Sequence, residues 1–344
     1  MSDKGFDYWE FFIGECERAG DVPLYVDLVK GIARDDELKE LASHVKRGQP
    51  MANILLAAVH FLLLRGADHP LRAFYPNLNG GERKSGTAFP AFKYFVNAHR
   101  TEIDALIRKG VTNTNEVARC ATLHAGFRAT AKEAGGTLAL IEIGPSAGLN
   151  MFWDCYRIRY RKDGEMYEVG PADTPLTIDC ELRGPNTPPL GPAPTIASRV
   201  GLELNTVDLS DPYWRDWLKA LVWPDQVDRF NRLEKAIVFA STKPRDIRPG
   251  SALDHLASAI AEIPESIPVC IYHSYVVYQF SEEMREALDN ILTMAGLRRT
   301  VWRLSLEGSL TGENTLSLGR HHDGTKVVRP LARTHPHGAW LEWL

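Results

Sequence analysis

The stretch "TLALIEIGPSAGLN", residues 137–150, decides the fold class. Its first seven residues form a short, mainly apolar run, which is typical of a strand buried on both faces of a parallel sheet. The run ends directly at Gly144, and the small residues that follow it, up to Gly148, predict a tight turn. The sequence therefore predicts an α/β protein whose first strand leads into a glycine-containing turn.

The two sides of this strand have different patterns. Before it, apolar residues recur at helical spacing, as at Leu24, Leu28 and Ile32, which predicts an all-helical N-terminal domain over residues 1–135. After it, strand-like runs alternate with capped helical segments, which predicts a doubly wound, mostly parallel, Rossmann-like sheet over residues 136–344.

Two further segments, 156–170 and 315–332, each contain strand-like runs joined by Asp-Gly, the strongest short-range signal for a β-hairpin. The first hairpin belongs to a predicted insertion at about 156–195. We expect the second to add an antiparallel strand at or near the edge of the sheet.

Composition excludes several classes of protein. The 344 residues are 44% hydrophobic and carry a net charge of -4, so a globular fold is expected and a main role in nucleic-acid binding is not. Five scattered cysteines, never spaced as C-x-x-C, suit a reducing cytoplasm. The apolar run 52–64 is too short to span a bilayer, and the first residues lack a secretory signal pattern. We expect a cytoplasmic protein without membrane association, and the oligomeric state stays open.

The turn after the strand has two interpretations. Gly144 to Gly148 fits the G-x-S-x-G elbow of a serine hydrolase, with Ser146 as nucleophile and Asp254 with His335 or His337 completing a triad. Such an elbow follows several earlier strands, and none is predicted before residue 137. The alternative is a turn that approaches a nucleotide-like cofactor, and this interpretation explains more residues.

The motif "EIGPSAG", residues 142–148, resembles motif I of class I S-adenosylmethionine-dependent methyltransferases. The resemblance implies S-adenosylmethionine as cofactor, with Glu142 facing its cationic methionyl end directly or through water. Ser146 stands where that family usually has glycine. The residues expected to line the cofactor at this turn are Glu142, Gly144, Ser146, Ala147, Gly148 and Asn150.

Later motifs follow in the order that this resemblance implies. "VGLELN", 200–205, would present Glu203 to the ribose hydroxyls, although Glu203 follows Gly148 by 55 residues instead of the usual ~20. "RPGSALDHL", 248–256, would place Ser251 and Ala252 near the adenine, with serine where the family has an acid.

The fourth motif is "CIYHSYVVYQF", residues 270–280, which would bring His273, as a possible general base, and Tyr275 to the transferred methyl group. It lacks the Asp/Asn-Pro-Pro-Tyr signature of methyltransferases that act on nucleic-acid bases. A buried histidine with a purely structural role is the alternative for His273.

Three segments, "TNTNEVARC" (112–120), "VWPDQ" (222–226) and "THPHGAWLEWL" (334–344), make the whole chain resemble an uncharacterised bacterial domain of unknown function. Asn115 and Arg119, one helical turn apart, are candidates for binding a substrate carboxylate, or else for fixing the junction between domains. His335 and His337 have a spacing compatible with metal ligands, but no third ligand is evident, and we expect no metal site.

We therefore expect an S-adenosylmethionine-dependent methyltransferase acting on a small molecule. A non-catalytic protein that binds S-adenosylmethionine or a nucleotide is the first alternative. A serine hydrolase that uses Ser146 is the second.

Overall fold

The computed structural model describes residues 7–113, 115–308 and 314–344. The chain divides into two compact units, and each consists of two segments of the sequence. The first unit comprises Met1–Thr114 and Leu209–Glu234, and the second comprises Asn115–Asp208 and Lys235–Leu344.

The first unit is helical. Its helices begin where the sequence supplies caps, as at Asp7, whose carboxylate accepts the backbone N–H groups of Trp9 and Glu10. In chain order the helices are α1 (Tyr8–Arg18), α2 (Pro23–Ile32), α3 (Asp36–Ser43), α4 (Met51–Leu64), α5 (Phe89–Ala98) and α6 (Arg100–Lys109), followed later in the chain by α8 (Pro212–Ala220).

Helix α4 lies at the centre of this unit and is apolar on nearly all sides. Helices α6 and α8 pack against it. Trp217 of α8 is fully buried in the same core and its indole N–H donates to the carbonyl of Val111 at 2.9 Å. Among the helices of the described residues, neither α4 nor any other has the length and apolar character needed to cross a bilayer.

The boundaries between the two compact units differ from the single boundary expected at residue 135. Helix α7 (Cys120–Ala134) belongs with the sheet, because it packs on strands of the second unit. Residues 209–234 belong with the helical unit, because Trp217 and Ala220 complete its core.

The second unit contains α7 and, within the described residues, a sheet of eleven strands. Helix α9 (Val227–Ser241) begins in the first unit and ends in the second. The remaining elements are β1 (Thr137–Ile143), β2 (Arg157–Lys162), β3 (Glu165–Val169), β4 (Thr177–Arg183), β5 (Thr195–Glu203), β6 (Asp246–Pro249), α10 (Ala252–Ala261), β7 (Val269–Ser274), α11 (Glu282–Gly296), β8 (Val301–Gly308), β9 (Asn314–His322), β10 (Thr325–Thr334) and β11 (Trp340–Trp343).

The strand order is β3-β2-β4-β11-β10-β9-β8-β7-β1-β5-β6. Within the described residues six of the ten strand pairings are parallel and four are antiparallel. The predicted α/β class, the mostly parallel sheet and the helical N-terminal region are thus confirmed.

Both predicted hairpins form, as β2–β3 and β9–β10. At each Asp-Gly turn both residues have positive φ, 51° and 84° at Asp163-Gly164 and 48° and 68° at Asp323-Gly324, as the favoured two-residue turns require. The expected edge position of the second hairpin was wrong. Strand β11 pairs with β10 and, in parallel, with β4, and it thereby joins the inserted strands to the same sheet.

Helix α7 approaches the sheet closely at Gly126. A Cβ atom added there would lie 2.8 Å from both methyl carbons of Leu304 and 3.0 Å from a methyl carbon of Leu316. Both leucines are fully buried. Gly126 therefore sets how near α7 can lie to β8 and β9.

We predict that Gly126→Val destabilises the sheet unit by about 2–4 kcal/mol, because overpacking at a close helix–sheet contact forces the backbone apart. Urea unfolding followed by circular dichroism measures the effect. Gly191→Val is the matched control, since an added Cβ at Gly191 meets no atom within 4 Å. Equal stability of the two variants would contradict this account of α7.

Candidate functional site

The parallel strands β6-β5-β1-β7-β8 contain a topological switch point. From β1 the chain adds β5 and β6 on one side, and then β7 and β8 on the other. In open α/β sheets, ligands bind outside the carboxyl ends of the strands at such a point. A ligand site is therefore expected at the turns that follow β1 and β7.

The turn after β1 has an unusual backbone. Gly144 and Gly148 have φ of 69° and 73°, and Ser146 between them has φ of 54°, a conformation that non-glycine residues seldom adopt. The turn is closed by the N–H of Gly148, which donates to the carbonyl of Pro145 at 2.8 Å. Ala147 is buried, and its carbonyl accepts a hydrogen bond from Arg245 at 2.9 Å.

The element that follows this turn is short. It is a 3-10 segment, Asn150–Cys155, with a kink at Phe152. A Cβ added to Gly148 would meet Ile247 of β6 at 2.9 Å and Met151 at 3.1 Å. Glycine at 148 is therefore required by its positive φ and by packing against β6. A substitution at this position would disturb the turn itself as well as any contact with a ligand.

Glu203, at the carboxyl end of β5, is tied to the turn. Its Oε2 accepts the backbone N–H of Ser146 at 2.7 Å, and its Oε1 accepts that of Asn205 at 2.8 Å. The residue is 8% exposed. A buried carboxylate thus holds the strained residue of the neighbouring strand in place.

Asn115 also reaches this turn, since its side-chain amide donates to the hydroxyl of Ser146. Ser146, Asn115 and Glu203 therefore form one buried cluster. The structure brings together Asn115 and the predicted cofactor turn, which lie about 30 residues apart in the chain.

Arg119 precedes α7, and its side chain lies beside the carboxyl end of β7. Its guanidinium lies over the ring of Tyr275, 4.0 Å from the centroid, and its Nε donates to the carbonyl of Pro336 at 2.9 Å. Its Nη1 is 3.5 Å from the hydroxyl of Ser274. The side chain is nearly buried and is fixed by these contacts.

Tyr275, which follows β7, is the second strained residue at this edge, with φ of 57°. Its backbone N–H donates to the carbonyl of Leu306 at 2.9 Å, and its hydroxyl donates to Oδ1 of Asn314 at 2.6 Å. Burial raises the pKa of Tyr275 to about 12. The phenol therefore stays protonated at neutral pH and acts as a donor.

His273 is fully buried on β7, and both of its ring nitrogens have partners. Arg303 Nε donates to its Nε2 at 3.0 Å, so Nδ1 carries the proton and donates to Oε1 of Glu307 at 2.5 Å. Burial lowers the pKa of His273. This geometry gives His273 the structural role that the sequence left open, and it offers no ring nitrogen to a substrate.

Glu307, at the end of β8, was missed in the sequence and is the anchor of the turn after β7. Its carboxylate accepts the backbone N–H groups of Val276 and Val277, each at 3.1 Å, and that of Tyr278 at 3.2 Å. Burial alone would raise the pKa of Glu307, but the imidazole of His273 and the backbone N–H groups of Val276 and Val277 together outweigh burial and lower the pKa. The signal was available, because an acid at the carboxyl end of a strand next to β7 must lie near the turn.

Glu142 has a different environment from the one expected. It is 2% exposed on the face of β1 covered by α7, and the hydroxyl of Tyr272 donates to its Oε2 at 2.8 Å. Burial raises the pKa of Glu142 to about 8. Asn150, also nearly buried, accepts a hydrogen bond from the thiol of Cys120 at 3.3 Å. Neither side chain offers an open surface for direct contact with a ligand.

Ser251 caps helix α10, since its hydroxyl accepts the backbone N–H of Leu253 at 3.2 Å. Ala252 is buried in the first turn of the same helix. The N–H of Gly250 donates to the carbonyl of Glu203 at 3.0 Å, so the start of α10 lies beside the end of β5.

His335, His337 and Asp254, the residues that would complete a triad with Ser146, have other environments. His337 Nδ1 is 3.1 Å from Oε2 of the buried Glu116, and the backbone N–H of His337 donates to Nδ1 of His335. Asp254 is exposed on α10. Among the described residues, no histidine is hydrogen-bonded to the hydroxyl of Ser146. In the same residues no group of three or more His, Cys, Asp or Glu side chains is arranged to hold a metal ion.

Residues 12–343 match the model of a family described as an uncharacterized protein conserved in bacteria, DUF2332. The chain belongs to this family. No curated protein and no solved structure matches it.

We predict that Glu142 makes stability fall as pH rises. Its pKa is about 8 in the folded chain and about 4.3 when unfolded, so between these values the folded state holds a proton that the unfolded state releases. Glu142→Gln stays uncharged and can still accept from Tyr272. It should be more stable than the parent at pH 8.5, by roughly 2–4 kcal/mol, with little difference at pH 5.

Urea unfolding at pH 5, 7 and 8.5 measures this difference. Glu181→Gln is the control, because Glu181 is exposed and pairs with Arg183 on β4. If the parent and Glu142→Gln lose the same stability between pH 5 and 8.5, Glu142 is not the group responsible.

Proposed function

We propose that the chain binds S-adenosylmethionine at the carboxyl edge of the sheet and transfers its methyl group to a small molecule. The observation that carries this proposal is the pair of strained residues, Ser146 and Tyr275, at the ends of the neighbouring strands β1 and β7. Such conformations cost about 1–3 kcal/mol each and cluster at ligand sites. Here Glu203 hydrogen-bonds Ser146 itself, and Glu307 holds the residues that follow Tyr275.

Glu203 suits the ribose of this cofactor. Each of its carboxylate oxygens accepts one backbone N–H, and each can accept a second hydrogen bond. The two ribose hydroxyls are donors of the required kind. Adenine recognition falls to the backbone near Ser251, because the serine hydroxyl is engaged as a helix cap.

The cluster must open for this binding. Ser146, Asn115 and Glu203 are each 8% exposed, and the amide of Asn115 occupies the hydroxyl of Ser146. We propose that Asn115 leaves Ser146 when the cofactor enters and that its amide, with Arg119, then contacts the substrate.

Bound S-adenosylmethionine supplies a methyl group activated by its sulfonium centre. The role of the protein is then to hold the acceptor atom in line with that methyl group and to exclude water. His273 is enclosed and the phenol of Tyr275 stays protonated, so this edge favours an acceptor that needs no protein base, such as a carboxylate.

The decisive experiment is calorimetry with S-adenosylmethionine and with its demethylated product, followed by transfer of a radiolabelled methyl group to a metabolite extract. Micromolar binding and labelled product support the proposal. Binding without transfer supports the binding-only alternative, which the enclosed His273 favours. Failure of both compounds to bind would overturn it.

We predict that Glu203→Gln weakens cofactor binding by about 1–3 kcal/mol, because an amide cannot accept hydrogen bonds on both of its terminal atoms. Calorimetry measures the loss, and the melting temperature shows whether the turn remains folded. Glu181→Gln on β4 should leave the affinity unchanged, since six strands lie between β4 and β5, namely β11, β10, β9, β8, β7 and β1. Unchanged affinity in the folded Glu203→Gln variant would place the ribose elsewhere.

We predict that Ser146→Gly leaves cofactor affinity equal or better, because glycine adopts the left-handed conformation at no steric cost. Ser146 at φ of 54° also fits the strained turn of a hydrolase elbow, and in that case the same change removes the nucleophile. A fluorophosphonate probe separates the two. Stoichiometric labelling of the parent, lost in Ser146→Gly, would identify a hydrolase and contradict the methyltransferase proposal.

A further inference from the structure

A groove of about 660 Å³ lies on the side of the sheet opposite the carboxyl ends of the parallel strands, within the second unit. It lies where β7 and β8 begin, because its lining includes Pro268 and Thr300, the residues just before these strands. A volume of this size accommodates a typical small-molecule ligand. Its polar lining is dominated by three arginines, Arg298, Arg299 and Arg320.

Arg299 has a structural role in this groove. Its Nη1 donates to the carbonyl of Ile263 at 2.7 Å, and its Nη2 donates to the carbonyls of Pro264, at 2.9 Å, and Ile267. It thereby fixes the turn between α10 and β7, which forms one wall.

Arg298 and Arg320 are exposed, and within the described residues neither has an acidic partner at ion-pair distance. The guanidinium of Arg320 lies 6.0 Å from the centroid of the Trp302 ring. At this distance the ring does not occupy the N–H groups of Arg320, which stay available for a planar acceptor.

The acids of the groove do not cancel this charge. Glu133 forms an ion pair with Arg329, and Glu265 interacts electrostatically with Arg299. The groove therefore holds two arginines in excess of the ion pairs that the fold itself makes. Positive charge without a partner in a concave site favours small anions.

We propose that this groove binds a small organic dianion, a phosphate ester or a polycarboxylate, through Arg298 and Arg320. The site lies at the amino ends of β7 and β8, whereas the turns at Ser146 and Tyr275 follow the carboxyl ends of β1 and β7. The ligand is therefore a second one, and the proposal stands whether or not the carboxyl edge binds S-adenosylmethionine.

Calorimetry at constant ionic strength tests the site with two probes, inorganic pyrophosphate and citrate. We expect the parent to bind at least one of them and Arg298→Glu with Arg320→Glu to weaken binding by at least about tenfold. Tighter binding of pyrophosphate identifies a phosphate site, and tighter binding of citrate identifies a carboxylate site. Absence of binding of both probes to the parent would overturn the proposal.

The matched control is Arg34→Glu with Arg47→Glu, which changes the net charge equally at two exposed arginines of the helical unit. An equal loss in this control would show a diffuse charge effect and no site. If the double reversal at the groove does not fold, Arg298→Gln provides the second measurement. Unchanged affinity in this milder variant would also contradict the proposed role of Arg298.

Discussion

The hydrogen bond from the backbone N–H of Ser146 to the carboxylate of Glu203 joins the turn after β1, one of the two strands at the switch point, to the end of β5. A left-handed non-glycine residue costs about 1–3 kcal/mol, and a hydrogen bond to a charged acceptor contributes about 1.5–3 kcal/mol. The two magnitudes are comparable, so this contact offsets the strain of the turn. Glu307 does the same for the turn after β7 with three N–H groups and His273. At the carboxyl edge, the two strained turns after β1 and β7 are therefore held by acids at the ends of the flanking strands β5 and β8.

Much of the sheet was predictable because the signals are local. The apolar run at 137–143 identifies a buried strand, and the Asp-Gly pairs at 163 and 323 fix both hairpins through the positive φ of two successive residues. The pairing of β11 with β4 was not predictable. It joins residues about 160 positions apart, and the alternating polar residues of β4 do not indicate their partner.

The sequence indicated which acids lie near the strand ends, but it did not indicate the direction in which their side chains point. An acid at a strand end lies near the carboxyl edge, as Glu203 does, but sequence alone does not show which face of the sheet a neighbouring acid occupies. Ile141 and Ile143 pack on the face covered by α10 and α11, so Glu142 between them points to the face covered by α7 and is enclosed there. His273 is enclosed for a related reason, because its partners Arg303 and Glu307 come from a strand that follows about 30 residues later.

The core of the helical unit is completed by a segment that is synthesised well after the N-terminal helices. Residues 209–234 follow the first five strands of the sheet in the chain, yet Trp217 and Ala220 fill the centre of the helical core. Until they emerge, the nascent helices expose an apolar surface with no internal cover. A fragment ending near residue 114 would carry the same exposed surface. Co-translational folding of this unit therefore has to wait until strands β1 to β5, five of the eleven strands in the described part of the sheet, have been synthesised.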